Sequence, residues 1–176
     1  MKFWPVPNSY SKEVPISGAG SFAESRGSRH HYAVDIYAPV SSKVLATENG
    51  KVIAEGVFTT PAVKSYWNMT YFVAIKHDSG YIAKYCELGD LLVNKGDQVK
   101  GGEVIGHIGK VLNFKEINSQ SPLYIQKIKE AEVEGMLHFE LYKEEPVIFR
   151  DYNGGNWHNH QKPDNILDPT TYLSSL

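Results

Sequence analysis

Residues 73–109 read VAIKHDSGYIAKYCELGDLLVNKGDQVKGGEVIGHIG, and the fold class follows from this run. Two stretches rich in β-branched and aromatic residues flank Asp78-Ser79-Gly80, a hairpin signal. Short β segments follow, punctuated by Gly96, Gly101, Gly102, Gly106 and Gly109. Upstream, KVLATENGKVIAEG (43–56) predicts two more short strands turning at Asn49-Gly50, a dipeptide suited to tight hairpins. Downstream, MLHFELY (136–142) closes the series. Short strands at regular spacing with glycine turns make the chain mainly β, an antiparallel sheet or sandwich. SPLYIQKIKEAEVEG (121–135) predicts one short helix, with Ser121 as N-cap and Pro122 in the first turn. The polar stretch from 149 onward reads as a long loop whose tail docks through Ile166, Leu167 and Tyr172.

The 176 residues are 41% hydrophobic and 22% charged, enough apolar mass for a sizeable core. A formal net charge of −2 gives no reason to expect a nucleic-acid or membrane-surface partner, and the expected state is a monomer. The single cysteine, Cys86, rules out an internal disulfide and leaves the compartment open. MKFWPVPNSYSKEVP lacks the apolar core of a cleavable secretion signal, and no run reaches the ~20 apolar residues of a membrane span. Localisation is therefore unknown from sequence: cytoplasmic, exported by an unconventional route, or part of a longer chain.

Seven histidines offer the chemistry. His31 and Asp35 share one face of a strand at spacing i, i+4, because Val34, Ile36 and Tyr37 favour a strand and Ala38-Pro39 ends it. His138 lies with Met136 and Glu140 opposite the apolar residues Leu137, Phe139 and Leu141. Imidazole and carboxylate suit zinc, but each element alone is as compatible with an ordinary polar surface.

In order and spacing these segments resemble the lysostaphin-type (LytM-domain) zinc endopeptidases. SGAGSFAESRGSRHHYAVDIYAPVSSKVLATENGKV (17–52) is similar to the family's glycine-rich turn, its His-x-Gly-x-Asp and its following hairpin, with Ala33 where glycine is usual. The quoted run looks like the central hairpin and the Val-x-x-Gly repeat. MLHFELY resembles His-x-His-Phe-Glu, and LDPTTYL (167–173) the Asp-Pro-x-x-Tyr-Leu ending. The resemblance implies a duplicated-hybrid-motif fold in one domain over 1–176, with 111–134 and 146–165 as loop insertions. It implies Zn²⁺ held by His31, Asp35 and His138, and a peptide of bacterial peptidoglycan as substrate.

Two departures bear on activity. The family's Tyr-x-His-Leu reads YCEL here, so Glu87 replaces a catalytic histidine and becomes the candidate base. The first histidine of His-x-His is Met136, whose thioether has no proton to give. Strict alternation places Tyr85 beside Glu87, and Tyr85, Met136 and Tyr37 are the candidates for touching substrate. The alternatives are an active variant that relies on Glu87, and a zinc-binding scaffold that binds peptidoglycan or activates a partner. A biotinyl or lipoyl carrier shares the glycine-valine pattern of 93–109 but needs a lysine at a hairpin tip, which is lacking. His158 and His160 are placed to supply a base or to lie in a solvated loop. His30, His77 and His107 are read without a catalytic role, and Cys86 as a small core residue.

Overall fold

The computed structural model describes residues 1–145, 155–158 and 162–176. Its strands and helices run β1 (Arg29–His31), β2 (Val34–Tyr37), β3 (Lys43–Leu45), β4 (Gly50–Thr59), β5 (Thr70–His77), β6 (Ile82–Leu91), β7 (Gln98–Val99), β8 (Val104–Ile108), α1 (Leu123–Glu130), β9 (Met136–Tyr142), β10 (Asn156–His158), β11 (Ile166–Leu167) and the short α2 (Thr170–Ser174). Nine strands form one antiparallel sheet along the path β11-β9-β6-β5-β4-β7, with β2 laid along β9 and β8 joined to β3 and β6. β1 and β10 form a separate antiparallel pair.

The hairpin predicted around Gly80 joins β5 to β6. Gly80 takes φ +92°, and its N–H donates to the His77 carbonyl at 2.9 Å. The one predicted at Asn49-Gly50 does not form: β3 pairs with β8, whereas β4 pairs with β5 and β7. A two-residue hairpin of that type needs positive φ, which Gly50 does not adopt. Gly50 serves close approach instead, because a Cβ there would lie 2.5 Å from the Lys76 carbonyl oxygen. Asn49 Oδ1 accepts the Gly101 N–H at 2.8 Å, so the dipeptide forms a corner between strands. The helix forms where expected, but Pro122 is its N-cap, and Ser121 Oγ accepts the Asn118 N–H at 3.1 Å instead.

β9 organises the rest. It runs between β2 and β6, and all seven of its residues are buried. Leu137, Phe139 and Leu141 enter the main core with Val34, Ile36 and Leu88. Met136 joins a second apolar cluster with Trp67, Leu112 and Ile125, the last contributed by α1. The face carrying His138 and Glu140 is therefore not a solvent face. Phe58 covers it with its ring 5.3 Å from that of His138, and Gly155, at the start of the β10 segment, closes it from the other side. The tail docks with Ile166 and Tyr172 buried as expected, Leu167 only partly buried against the core, and Leu173 buried besides. The Tyr172 hydroxyl lies 2.8 Å from Thr47 Oγ1, which also lies 2.8 Å from the Tyr85 hydroxyl.

Candidate metal centre

Cross-strand register brings the predicted ligands together. Asp35 on β2 is the direct partner of His138 on β9, and β1 delivers His31 just before β2 begins. His31 Nε2, His138 Nδ1 and Asp35 Oδ1 form a triangle with sides of 3.0, 3.0 and 3.1 Å. Ligand atoms bound at ~2.0–2.1 Å around one tetrahedral zinc are about 3.3 Å apart, so this triangle fits one small cation after slight expansion. All three residues are at most 3% exposed.

The outer hydrogen bonds fix which ring nitrogens face the triangle. His31 Nδ1 lies 2.9 Å from the Ser21 carbonyl, which can only accept, so that nitrogen carries the proton and Nε2 presents a lone pair. His138 Nε2 donates to Glu140 Oε1 at 3.1 Å, which leaves Nδ1 turned inward. Glu140 is in turn held by Lys84 Nζ at 3.4 Å and by the Tyr142 hydroxyl. Two bare imidazole nitrogens and a carboxylate oxygen aimed at one point repel one another unless a proton or a metal lies between them. The ionisation of the cluster reflects that demand. Burial disfavours a charge on His138, but hydrogen bonds to Asp35 and Glu140 outweigh it and raise its pKa to about 9. Burial likewise opposes ionisation of Asp35, yet the two imidazoles hold it well below the usual carboxylate range. Burial pushes His31 down, against the pull of Asp35.

Glu87 reaches the same cleft by a route that strict alternation does not predict. Phe72 pairs with Cys86 and Tyr71 with Leu88, so Glu87 is the extra residue of a β-bulge. Its φ of +70° lies in the left-handed region, uncommon for a residue with a side chain. The bulge separates Glu87 from Tyr85, which corrects the expectation that they share a face. Tyr85 is fully buried in the main core, its hydroxyl bonded to Thr47 and His77, and it does not touch the cleft. The Glu87 carboxyl is 7% exposed by residue, its Oε2 has no hydrogen-bond partner among the described residues, and burial lifts its pKa to about 8.

The cleft encloses about 390 Å³, part of it continuous with solvent. Arg26, Asp35, Glu87 and His138 line its polar side; Trp67, Leu112, Met136 and residues of α1 line the apolar one. Met136 is therefore at the site as an apolar wall. Tyr37 packs on the Met136 cluster beside Gly20 and is not part of the lining. Cys86 is buried opposite His138, and burial pushes its thiol well up, away from nucleophilic use. His30 stacks on Trp157 with centroids 5.3 Å apart, and half-exposed His107 pairs with Asp90. The backbone of His158 pairs with Arg29, and His160 lies outside the described residues.

Two contributors had no sequence signal, Arg26 and Gly155; Glu140 is the glutamate of the His-Phe-Glu match in MLHFELY, but the sequence assigned it no role. Gly155 has φ +81°, and a Cβ on it would lie 2.2 Å from His138 Cε1. Gly155→Ala should therefore cost about 1–3 kcal/mol in overpacking alone and displace the His138 ring. Thermal unfolding would read the first effect and bound metal per chain the second. A variant unchanged in both would contradict the contact.

An antiparallel β scaffold thus gathers two imidazoles and a carboxylate onto neighbouring strands, beside a buried carboxyl in a cleft, a donor set suited to a metal ion. The chain belongs to peptidase family M23, whose sequence profile matches residues 29–149. It is 29% identical over 106 residues to the uncharacterized lipoprotein YgeR of Escherichia coli K12, covering 60% of this chain and 39% of that protein. It is 28% identical over 112 residues to the murein hydrolase activator NlpD of Salmonella typhimurium, covering 60% of this chain and 28% of the relative. The chain thus spans well under half the length of either protein. In fold it is similar to the catalytic domain of lysostaphin from Staphylococcus simulans, with a TM-score of 0.52, 19% identity and 90% coverage of both chains.

Proposed function

We propose that this protein is a zinc-dependent endopeptidase that hydrolyses peptide bonds in the stem or cross-bridge of bacterial peptidoglycan. The observation that carries the reading is the convergence of His31 Nε2, His138 Nδ1 and Asp35 Oδ1, with both inward tautomers set by Ser21 and Glu140. Two imidazoles and one carboxylate are a catalytic rather than a closed structural donor set, because they leave a position free. Zn²⁺ held there would supply Lewis acidity toward the scissile carbonyl and toward a water molecule.

The remaining work falls to the chain. Glu87 Oε2, unpartnered in the cleft, takes a proton from the attacking water and returns it to the leaving amine. A carboxyl lifted to about 8 is suited to moving a proton in both directions near neutral pH. Met136 and Trp67 exclude water from the opposite side. Glu140 holds His138 in its inward tautomer.

A second reading has its own support. His138 is covered by Gly155 and Phe58, and methionine stands where the resembling enzymes keep a proton-transfer group. A zinc-binding scaffold that binds peptidoglycan or activates a hydrolase would tolerate both, and one relative is named a murein hydrolase activator. Purified sacculi incubated with the zinc-loaded protein separate the two. The peptidase releases peptides with new amino termini, and a chelator stops the release. Protein that sediments with sacculi and exposes no new termini would overturn the hydrolase reading.

A further inference from the structure

Arg26 lies in the irregular segment before β1, yet its side chain is 7% exposed and forms part of the cleft wall. Its guanidinium is held on every side. Nε and Nη2 donate to Glu24 Oε2 at 3.1 and 3.0 Å, and Nη1 donates to Asn156 Oδ1 at 3.3 Å. The ring of Tyr124 on α1 stacks on it, 4.5 Å from the guanidinium carbon to the ring centroid. From this fixed position Nη2 donates to Asp35 Oδ2 at 3.1 Å.

The two oxygens of Asp35 thus have different partners. Oδ1 faces His31 and His138, and Oδ2 faces Arg26. A carboxylate free to turn could offer a cation both oxygens; one whose second oxygen is committed to an immobilised guanidinium offers only one. We infer that Arg26 is a positioning residue for the metal centre, fixing Asp35 as a single-oxygen ligand so that a coordination position stays open for substrate or water. The inference rests on the metal reading above and goes beyond it in assigning how the ligand is oriented.

Arginine suits the task because its planar fork serves Glu24, Asn156 and Asp35 together, whereas a lysine ammonium is a point charge that fixes no plane. Stacking on Tyr124 and contact with Asn156 tie the ligand's orientation to α1, which lines the cleft, and to the start of β10. Groups that orient metal ligands typically govern about 10–100-fold in metal affinity.

The test uses the full chain with Zn²⁺ and Co²⁺ as probes. Zinc affinity is measured by competition with a chromophoric chelator, and the visible spectrum of the Co²⁺ form reports coordination number. Arg26→Met should lower zinc affinity about 10–100-fold. Its Co²⁺ band should weaken, because higher-coordinate Co²⁺ absorbs less than four-coordinate Co²⁺. Arg26→Lys keeps a cation beside Asp35 and Glu24 and remains informative if the methionine variant does not fold. It should lose less affinity but still show the weakened band. Either variant, folded, with wild-type affinity and a wild-type spectrum would overturn the positioning role. Wild-type protein that takes up neither ion would overturn the metal reading itself, and the inference with it.

Discussion

Asp35→Ala should empty the metal centre and abolish peptide release. Zinc sites of four ligands are worth about 10–16 kcal/mol, so each ligand carries roughly 3 kcal/mol, and removing one costs at least about 10²-fold in affinity. Asp35 is the hub as well as a ligand: His31, His138 and Arg26 all contact its carboxylate. Breaking a buried ion pair by deleting one partner costs about 3–5 kcal/mol. The loss here should fall at the lower end, because Arg26 keeps Glu24. Asp35→Asn separates the two effects, since it preserves shape and an acceptor for Arg26 while removing the charge the cation needs. The expected pattern is a large drop in zinc per chain for both variants, with a drop in melting temperature that is larger for alanine, which loses the acceptor for Arg26 as well as the charge. Elemental analysis and thermal unfolding read these directly. Undiminished peptide release by Asp35→Ala would end the zinc-hydrolase reading.

Much of the site was legible in the sequence through the order and spacing in which its segments resemble the lysostaphin-type family; periodicity alone left each histidine as compatible with an ordinary polar surface. The i, i+4 spacing put His31 and Asp35 on one face of a single strand. Instead the chain breaks at Tyr32-Ala33, so that His31 ends β1 beside β10 and Asp35 lies on β2, whose register against β9 makes Asp35 and His138 direct neighbours. Periodicity failed where the backbone leaves it. The bulge at Glu87 separates it from Tyr85, and no pattern of hydrophobic residues encodes a left-handed glutamate. Asn49-Gly50 misled for a related reason: glycine was required there by the Lys76 carbonyl, a contact distant in sequence, and not by a turn. The polar side of β9 read as solvent or site, but no local signal announced that Phe58 and Gly155 would cover it.

Arg26 and Glu140 illustrate the remaining limit. Each is an ordinary charged residue in its own segment, and each matters only through a partner. Arg26 meets Asn156, 130 residues away, and Glu140 meets Lys84 on the neighbouring strand β6. A buried arginine and a buried glutamate then do for the ligands what the ligands cannot do alone: one orients a carboxylate, the other fixes a tautomer. The cluster so built sets two cations, Lys84 and Arg26, against three carboxylates, Glu140, Asp35 and Glu24, an excess of one negative charge that a proton on His138 or a bound cation offsets.

Glu87 should be the residue at which stability and activity move in opposite directions. Its left-handed backbone costs a residue with a side chain about 1–2 kcal/mol, and its carboxyl is buried with Oε2 unpartnered. Glu87→Gly removes both penalties and should raise stability by about 1 kcal/mol, the gain being trimmed by glycine's greater freedom in the unfolded chain. The same change deletes the candidate proton carrier and should cut peptide release by about 10²–10⁴-fold. Glu87→Gln isolates the chemistry. The amide matches the carboxyl in shape, and Glu87 is not among the three ligand residues, so the change should leave zinc content nearly unchanged. Release should still fall by the same factor, since an amide cannot accept and return a proton. Rates from sacculi, thermal unfolding and bound zinc, measured on both variants, test every step. If Glu87→Gln cleaves like the wild type, Glu87 is not the base; if Glu87→Gly is less stable than the wild type, the strain at this bulge is not what its φ implies.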